Sequence, residues 1–185
     1  MRPVVDVAQA LLGKLVVRTL VDGERLSGVI VETEAYRWDD PASHGFGGQS
    51  KRNRSLFGPA GHTYVYRSYG IHMMLNLVCG PIGSAEGVLV RALEPVGGIG
   101  TMQRLRETVD LKSLTNGPGK LAKALGLRVM TDDGIDVTQS NSPIQVCSWE
   151  HEPFDVVTST RIGITRGIAT PWRFYVSGNP FVSKK

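Results

Sequence analysis

The architecture of this chain can be predicted from one segment, residues 14–36, which reads KLVVRTLVDGERLSGVIVETEAY. Its first part is rich in valine and leads to an Asp-Gly dipeptide, residues 22–23, of the kind that favours a tight hairpin turn. Residues 26–36 then resume as a mostly apolar run with the composition of a strand. The segment therefore predicts two antiparallel strands joined by a short turn.

Further strands and short helices are predicted around this hairpin. Apolar residues at helical spacing indicate helices at residues 3–12, 99–108 and 118–125, and Val109 continues the apolar face of the second. Runs of apolar and β-branched residues indicate strands at residues 63–69, 71–79, 88–93, 144–147, 161–165 and 173–177. Because consecutive strands that pair as hairpins imply an antiparallel or mixed sheet, we expect one α+β domain over residues 1–185.

The composition is that of an ordinary globular protein. Of the 185 residues, 41% are hydrophobic and 21% charged, which argues against a disordered, collagen-like or coiled-coil chain. No apolar run approaches the roughly 18 residues of a membrane span, and we expect no signal peptide and no membrane association. Cys79 and Cys147 lack a paired spacing, so we expect reduced thiols rather than a disulfide. We expect a cytoplasmic, nucleoid-associated location in a bacterium, or a nuclear one in a eukaryote.

A small excess of positive charge is the first indication of a partner. Lysine and arginine number 21 against 17 aspartates and glutamates, which gives a net charge of +4 and a pI near 9.2. This excess is compatible with a polyanion but is too modest to identify one. Residues 37–61 form a long glycine-rich loop, which we expect to be ordered and functional because such loops are uncommon inside a compact domain. Its basic residues Lys51, Arg52 and Arg54 could neutralise phosphates or form a solvated surface cluster.

Two glutamates and one arginine stand out within the predicted strands. If the second strand of the hairpin is unbroken, Glu32, Glu34 and Tyr36 share one of its faces. A carboxylate at a strand end beside a cleft can act as a general base, but it can equally lie on a solvated edge. Arg91 lies in an apolar strand and needs an anionic partner, which could be Glu34, another carboxylate or a phosphate of a ligand.

Tyrosines and one glycine-rich turn provide further candidate contacts. Tyr64 and Tyr66 point to one side of a predicted strand, and Tyr69 lies at the turn that follows. Exposed rings can stack on bases or insert into a duplex, although tyrosines are also ordinary strand residues. Residues 116–120, NGPGK, place glycines before a helix start beside a lysine and could bind an anion. The histidines and cysteines lack the spacing of a zinc site, and the sequence has no GxxxxGK[ST] nucleotide-binding motif.

Taken in order along the chain, these segments resemble the alkyladenine DNA glycosylase family, whose members are also called 3-methyladenine or methylpurine DNA glycosylases. The resemblance rests on VETEAY at 31–36, RNR at 52–54, YVYRSYG at 64–70, Asn76, RALEP at 91–95, GPGKL at 117–121 and RFYV at 173–176. It runs over nearly the whole chain, and the ordered set is specific. It implies a single domain with a curved, mostly antiparallel sheet surrounded by short helices, similar to a domain appended to formyltransferases.

The resemblance also implies a function. Members of this family are monofunctional DNA glycosylases, which flip a damaged purine out of double-stranded DNA and hydrolyse its bond to deoxyribose at the start of base excision repair. The implied substrates are alkylated or deaminated purines of the 3-methyladenine, hypoxanthine and ethenoadenine class. We expect no cofactor and no metal, damaged double-stranded DNA as the partner, and a monomer.

The resemblance assigns a role to each matching residue. Glu34 is expected to deprotonate the attacking water, and Arg91 to help place that water and the adjacent phosphate. The pocket for the flipped base is expected to comprise Tyr36, Ala42, His44, Tyr66 and Asn76. Within it, the Ala42 carbonyl accepts from a protonated purine N7 and Asn76 discriminates against guanine. Tyr69 is expected to fill the gap left by the flipped nucleotide. Further DNA contacts are expected from Arg52, Arg54, His72 and Lys120.

Two other functions stay open at this stage. A nucleic-acid-binding module without catalysis would bind in a salt-dependent manner and show no preference for damage. An unrelated hydrolase could use Glu32, Glu34 and histidines around a metal, although their spacing does not favour it. Glu32 also remains an alternative to Glu34 as the general base, because only the family register separates the two.

Overall fold

One sheet of eight strands forms the centre of the protein, whose computed structural model describes residues 2–183. The strands are β1 (Leu15–Thr19), β2 (Arg25–Tyr36), β3 (Thr63–Ser68), β4 (His72–Val78), β5 (Gly87–Gly97), β6 (Ile144–Cys147), β7 (Val156–Ser159) and β8 (Arg173–Val176). Six follow the order β3-β4-β5-β2-β1-β6, while β8 pairs with both β2 and β7. Each of these pairings is antiparallel, which confirms the predicted α+β class with a curved antiparallel sheet.

Strand β2 organises this sheet. Its first half forms the predicted hairpin with β1, its second half pairs with β8, and β5 follows its other edge. The register against β5 shifts on both sides of Glu32, so the strand is bulged rather than unbroken. Since a bulge re-aims the side chains beside it, bulges are frequent next to active sites. The bulge of β2 lies at Glu32, two residues before Glu34.

Four short helices cover the sheet. They are α1 (Val4–Ala10), α2 (Ile99–Arg106), α3 (Pro118–Ala124) and α4 (Val129–Asp132). The first three confirm the predicted helices with shifted ends, whereas α4 was not predicted. Buried side chains of the helices, among them Ala8, Met102 and Leu121, pack with Val31 and Val90 of the sheet in one hydrophobic core. Each helix among the described residues is too short to cross a bilayer.

The structure corrects three details of the predicted elements. Residues 161–165 form an irregular loop rather than a strand, because Gly163 adopts a positive φ of 78° within it. Strand β7, just before this loop, was not predicted. Val109 is 88% exposed instead of facing the core, because α2 ends at Arg106 and Glu107 turns the chain with a φ of 55°.

The long glycine-rich loop is ordered, as the sequence predicted. It contains a 3₁₀ helix, Arg54–Phe57, whose Leu56 is buried. Asn53 ties the loop together, because its side-chain amide donates to the carbonyls of His44 and Gly48 at 2.8 and 3.1 Å. These contacts hold residues 41–44 beside the sheet.

Candidate active site

Strands β2 to β5 line a cavity of about 710 Å³ together with residues 41–44 and 162–166. Seven of the predicted site residues line it: Tyr36, Ala42, His44, Tyr66, Tyr69, Asn76 and Arg91. On β4 the alternation of side chains puts Met74 and Asn76 on the cavity side. A concave pocket that combines aromatic walls with convergent polar groups has the character of a ligand site.

One wall of the cavity is a cluster of aromatic rings. Tyr64 and Tyr66 are stacked with their centroids 5.2 Å apart, and His44 meets Tyr66 edge-on at 4.4 Å. His44 Nδ1 lies 2.9 Å from the Tyr64 hydroxyl. Burial, with a smaller contribution from the charge of Arg52, lowers the pKa of His44, so the imidazole is neutral at pH 7. Burial also raises the pKa of Tyr66 to about 12, which keeps this phenol protonated.

Tyr36, on the opposite side, is held by two charged groups. Its hydroxyl donates to Glu34 Oε2 at 2.8 Å, and the Arg161 guanidinium lies 4.7 Å from the centroid of its ring. Burial and then the charge of Glu34 raise the pKa of Tyr36, so the hydroxyl remains a donor. Arg161 also forms a buried ion pair with Asp40, whose Oδ1 accepts from the Ala42 amide at 3.0 Å. One ion pair thus supports both the Tyr36 ring and the loop that carries Ala42.

Glu34 lies behind the cavity wall and has no exposed surface. Its Oε1 accepts from the Ile162 amide at 2.7 Å. Its Oε2 accepts from the Tyr36 hydroxyl at 2.8 Å and lies 3.2 Å from Arg91 Nη1. These three neighbours all line the cavity, although Glu34 itself does not. Because a carboxylate offers about four acceptor positions, two on each oxygen, the donors from residues 2–183 leave one position on Oε1.

Glu32 has different surroundings. Its Oε1 accepts from Arg91 Nε at 3.1 Å, Arg173 Nε at 2.7 Å and Ser183 Oγ at 2.9 Å. Its Oε2 accepts from the Ser183 amide at 2.7 Å. Among the described residues, three hydrogen bonds thus fall on Oε1 and one on Oε2, and this fully buried carboxylate does not line the cavity. Apart from Arg91, its donors do not line the cavity either. Arg91 pairs with both glutamates. The sequence allowed Glu34 or another carboxylate as its partner, and the structure contains both.

The hairpin between β3 and β4 presents Tyr69 at its tip. Tyr69 and Gly70 have positive φ values of 48° and 73°, and the Ile71 amide donates to the Ser68 carbonyl at 3.1 Å. These are the features of a type I′ turn, which favours asparagine or aspartate before the glycine. Tyrosine is strained at this φ, yet Tyr69 is 88% exposed beside the cavity. Strain at an exposed aromatic residue indicates a functional position rather than a packing one.

The other residues predicted to contact DNA do not line the cavity. They are Arg52, Arg54, His72 and Lys120. All but Lys120 are exposed. Arg52 Nη2 donates to the Arg67 carbonyl at 2.8 Å, and Lys120 Nζ donates to Asn116 Oδ1 at 2.7 Å. Their contacts with DNA stay predictions.

Comparison with known proteins adds a family to this geometry. Residues 1–180 match the sequence profile of a family described as methylpurine-DNA glycosylase (MPG). The chain belongs to this family. It is therefore a DNA glycosylase, a hydrolase of DNA repair, which confirms the resemblance stated from the sequence and the enzyme class that it implies.

Individual relatives agree with this family over almost the full chain. Three of them carry the name "Putative 3-methyladenine DNA glycosylase". The protein of Granulibacter bethesdensis is 49% identical over 185 residues, covering 98% of this chain and 83% of the relative. The protein of Agrobacterium fabrum is 48% identical, covering 100% and 89%. The protein of Methanoculleus marisnigri is 47% identical, covering 100% and 95%.

Part of the candidate site was missed in the sequence. The loop 162–166 forms one wall and supplies the Ile162 amide to Glu34, but its alternating apolar residues predict a strand. Arg161 and Asp40 are 121 residues apart, and neither spacing nor motif connects them. Arg161 follows three hydroxyl residues, TST at 158–160, so it lacks the apolar surroundings that drew attention to Arg91.

Metal ligands and thiols contribute little to the site. Within residues 2–183, the structure contains no group of three or more histidine, cysteine, aspartate and glutamate side chains that could hold a metal ion. Cys79 and Cys147 are free thiols, as predicted, with Cys79 buried and Cys147 partly exposed. Burial raises the pKa of the Cys79 thiol to about 12, so it is protonated and unreactive.

Proposed function

We propose that this glycosylase acts as a monomer on double-stranded DNA, flips a damaged purine into the cavity and hydrolyses its bond to C1′ of deoxyribose. The proposed substrates are alkylated or deaminated purines of the 3-methyladenine, hypoxanthine and ethenoadenine class. Flipping is needed because an enzyme cannot reach its target atom in a stacked nucleotide. The product is an abasic site, the starting point of base excision repair.

The observation that carries this proposal is the acceptor position left on Glu34 Oε1. The Ile162 amide takes one position on that oxygen, while Tyr36 and Arg91 cover Oε2. A water that donates to Oε1 would lie between the carboxylate and the residues that line the cavity. Because Glu34 has no exposed surface, we propose that DNA binding opens a path from the cavity to this oxygen.

The proposed reaction uses the negative charge of Glu34 twice. The water oxygen forms a bond to C1′ and passes its proton to Glu34, while the bond to purine N9 breaks and its electron pair leaves with the base. Positive charge develops on the sugar in the transition state, and a nearby carboxylate stabilises it. The Arg91 guanidinium would orient the water and the adjacent phosphate.

The walls of the cavity suit a purine that carries positive charge. Tyr36 and Tyr66 offer aromatic faces, which attract a cationic base. His44 is neutral at pH 7, since burial lowers its pKa, and adds no opposing charge. The Ala42 carbonyl is the proposed acceptor for a protonated purine N7. Asn76, whose Nδ2 donates to the Tyr64 carbonyl at 3.1 Å, is the residue proposed to exclude guanine.

The proposed DNA contacts surround this cavity. Tyr69 would fill the gap in the base stack, and its exposed position at the tip of the hairpin supports this role. The residues proposed to meet the phosphate backbone are Arg52, Arg54, His72 and Lys120. Basic side chains of this kind would make binding weaker as salt rises.

The first test is the substitution Glu34→Gln. It keeps the shape of the side chain but removes its basicity, and general-base catalysis contributes about 10²–10⁴-fold. We expect the single-turnover rate of excision to fall by at least about 100-fold while the variant still binds damaged duplex. The measurement uses duplexes with single hypoxanthine or 3-methyladenine lesions and alkaline cleavage of the abasic product.

The matched control is Glu150→Gln, which changes an exposed glutamate outside the cavity lining and should retain the parent rate. Excision at the parent rate by Glu34→Gln would overturn the catalytic assignment. Failure of the parent protein to excise any of these lesions would overturn the proposed substrates. A covalent adduct trapped by borohydride would contradict a monofunctional mechanism.

A further inference from the structure

A buried charge network behind the cavity connects Arg91 to residues that no catalytic role explains. Glu32, Glu34, Arg91 and Arg173 have almost no exposed surface, and their formal charges sum to zero. Ser183 joins them from a distant part of the chain, since its amide and hydroxyl both donate to Glu32. Burying four charges costs free energy unless each of them is paired. The network therefore needs a functional explanation.

The planar guanidinium of Arg91 explains how this network acts on Glu34. Arg91 Nε donates to Glu32 Oε1 at 3.1 Å, and Arg91 Nη2 lies 3.5 Å from Ser183 Oγ. Because the guanidinium is rigid, holding two of its nitrogens determines the position of the third. That third nitrogen is Nη1, which lies 3.2 Å from Glu34 Oε2. Glu32 and Ser183 therefore set how closely Arg91 approaches the proposed base.

Glu32 is itself held firmly enough to serve as an anchor. The Ser183 amide and Arg173 Nε both donate to it at 2.7 Å, shorter than the contact that Arg91 makes. These donors come from β8 and from the chain beyond it, so the anchor does not depend on the cavity loops. Without the charge of Glu32, Arg91 would keep Glu34 as its carboxylate partner among the described residues.

We propose that Glu32 is a positioning residue. Together with Ser183 it holds the Arg91 guanidinium between the two carboxylates, so that Glu34 Oε1 stays available to water. The proposal rests on the function proposed above, in which Glu34 is the base. Glu32 touches neither substrate nor water. Its loss would let Arg91 move toward Glu34 and displace the water, which should slow the chemical step without weakening DNA binding.

The experiment compares Glu32→Gln and Ser183→Ala with the parent protein. Single-turnover rates at saturating protein and the affinity for a hypoxanthine duplex are measured separately. We expect Glu32→Gln to lower the rate by about 10–100-fold, as misplacement near 1 Å does, with affinity unchanged. Ser183→Ala keeps the amide contact and loses only the hydroxyl, so a smaller loss of about threefold is expected. Glu32→Asp restores the charge and should recover part of the rate.

The matched control is Asp132→Asn, which breaks another buried ion pair, with Arg18, outside the cavity lining. It should destabilise the protein but leave the rate of the folded enzyme at the parent value. The proposal is overturned if Ser183→Ala and Glu32→Gln match the parent, or if Glu32→Gln loses no more rate than Asp132→Asn. If Glu32→Gln does not fold, Ser183→Ala decides alone. If these results overturn the proposal while the parent is active and Glu34→Gln is inactive, the role of Glu32 is wrong and the proposed function is unaffected.

Discussion

Two glutamates on β2, separated by one threonine, differ in where their hydrogen-bond donors lie. Both are fully buried and both contact Arg91. The residues that donate to Glu34, namely Ile162, Tyr36 and Arg91, all line the cavity, whereas Arg173 and Ser183, which donate to Glu32, do not. Because a general base has to reach a substrate held in the cavity, this difference favours Glu34 as the base on physical grounds.

At the residue scale, Tyr69 allows a test that separates stability from activity. Tyr69→Asn supplies the residue that a type I′ turn prefers, so it should relieve strain of about 1 kcal/mol and raise Tm by about 2–4 °C. The same variant loses the ring proposed to fill the base stack, so excision from duplex DNA should slow by at least about fivefold, since stacking is worth about 1–3 kcal/mol per base. Calorimetry and single-turnover excision give the two readouts.

The control for this pair of effects is Tyr69→Phe. It keeps both the ring and the positive φ, so its Tm and its excision rate should stay close to those of the parent. An unchanged excision rate in Tyr69→Asn would show that the exposed ring is not the residue that replaces the flipped base.

At the scale of secondary-structure elements, the hairpin that carries Tyr69 is supported from behind by α3. The start of this helix packs on β4, where a Cβ added at Gly119 would lie 3.1 Å from both Cβ and Cγ of His72. Since the Cβ of His72 moves only with its backbone, a Cβ at Gly119 would require the two elements to separate by a few tenths of an ångström. The NGPGK turn, noted in the sequence as a possible anion site, thus has a packing role in this structure.

Gly119→Ala tests this role of α3 against a matched substitution. Gly119 and Gly100 are each the second residue of a helix, but a Cβ at Gly100 would meet nothing closer than 3.9 Å. Replacing glycine by alanine in a helix gains up to about 1 kcal/mol. Gly100→Ala should therefore raise the free energy of unfolding and retain excision, whereas Gly119→Ala should lose that gain and reduce DNA affinity by displacing the hairpin. Urea unfolding measures the free energy of unfolding, and duplex binding measures the DNA affinity. Equal changes of both quantities in the two variants would show that α3 does not support the hairpin.

At the scale of the whole molecule, the sequence predicted features that depend on local periodicity. The β1–β2 hairpin, the β3–β4 hairpin and three helices follow from spacing and turn residues. The ion pair of Arg161 with Asp40 and the pairing of β8 with β2 join distant segments, and no single-sequence pattern reports such contacts. For the same reason, the residues of the candidate site could be named from a resemblance, but the donors that distinguish Glu32 from Glu34 could not.

The buried tyrosines of the cavity lead to a prediction for the stability of the whole protein in alkali. Burial raises the pKa of Tyr36 and Tyr64 far above 10, and that of Tyr66 to about 12. In the unfolded chain these phenols lose their protons near pH 10, so above that pH the folded state holds more protons than the unfolded state. The free energy of unfolding must then fall as pH rises, by at most about 1.4 kcal/mol per pH unit for each such group. Cys79, whose pKa burial raises to about 12, acts in the same direction from about pH 9.

Urea unfolding of the parent and of Tyr66→Phe between pH 8 and pH 11 checks this prediction. The parent should lose stability progressively above about pH 10, and Tyr66→Phe, which lacks one of the titrating phenols, should lose it less steeply. Each protein's free energy of unfolding is expressed relative to its own value at pH 8, where all the phenols are protonated in both the folded and the unfolded state. This removes the effect of the substitution on packing. Parallel curves for the two proteins would mean that the Tyr66 hydroxyl is as well solvated in the folded state as in the unfolded chain. The aromatic cavity would then be open to water in solution.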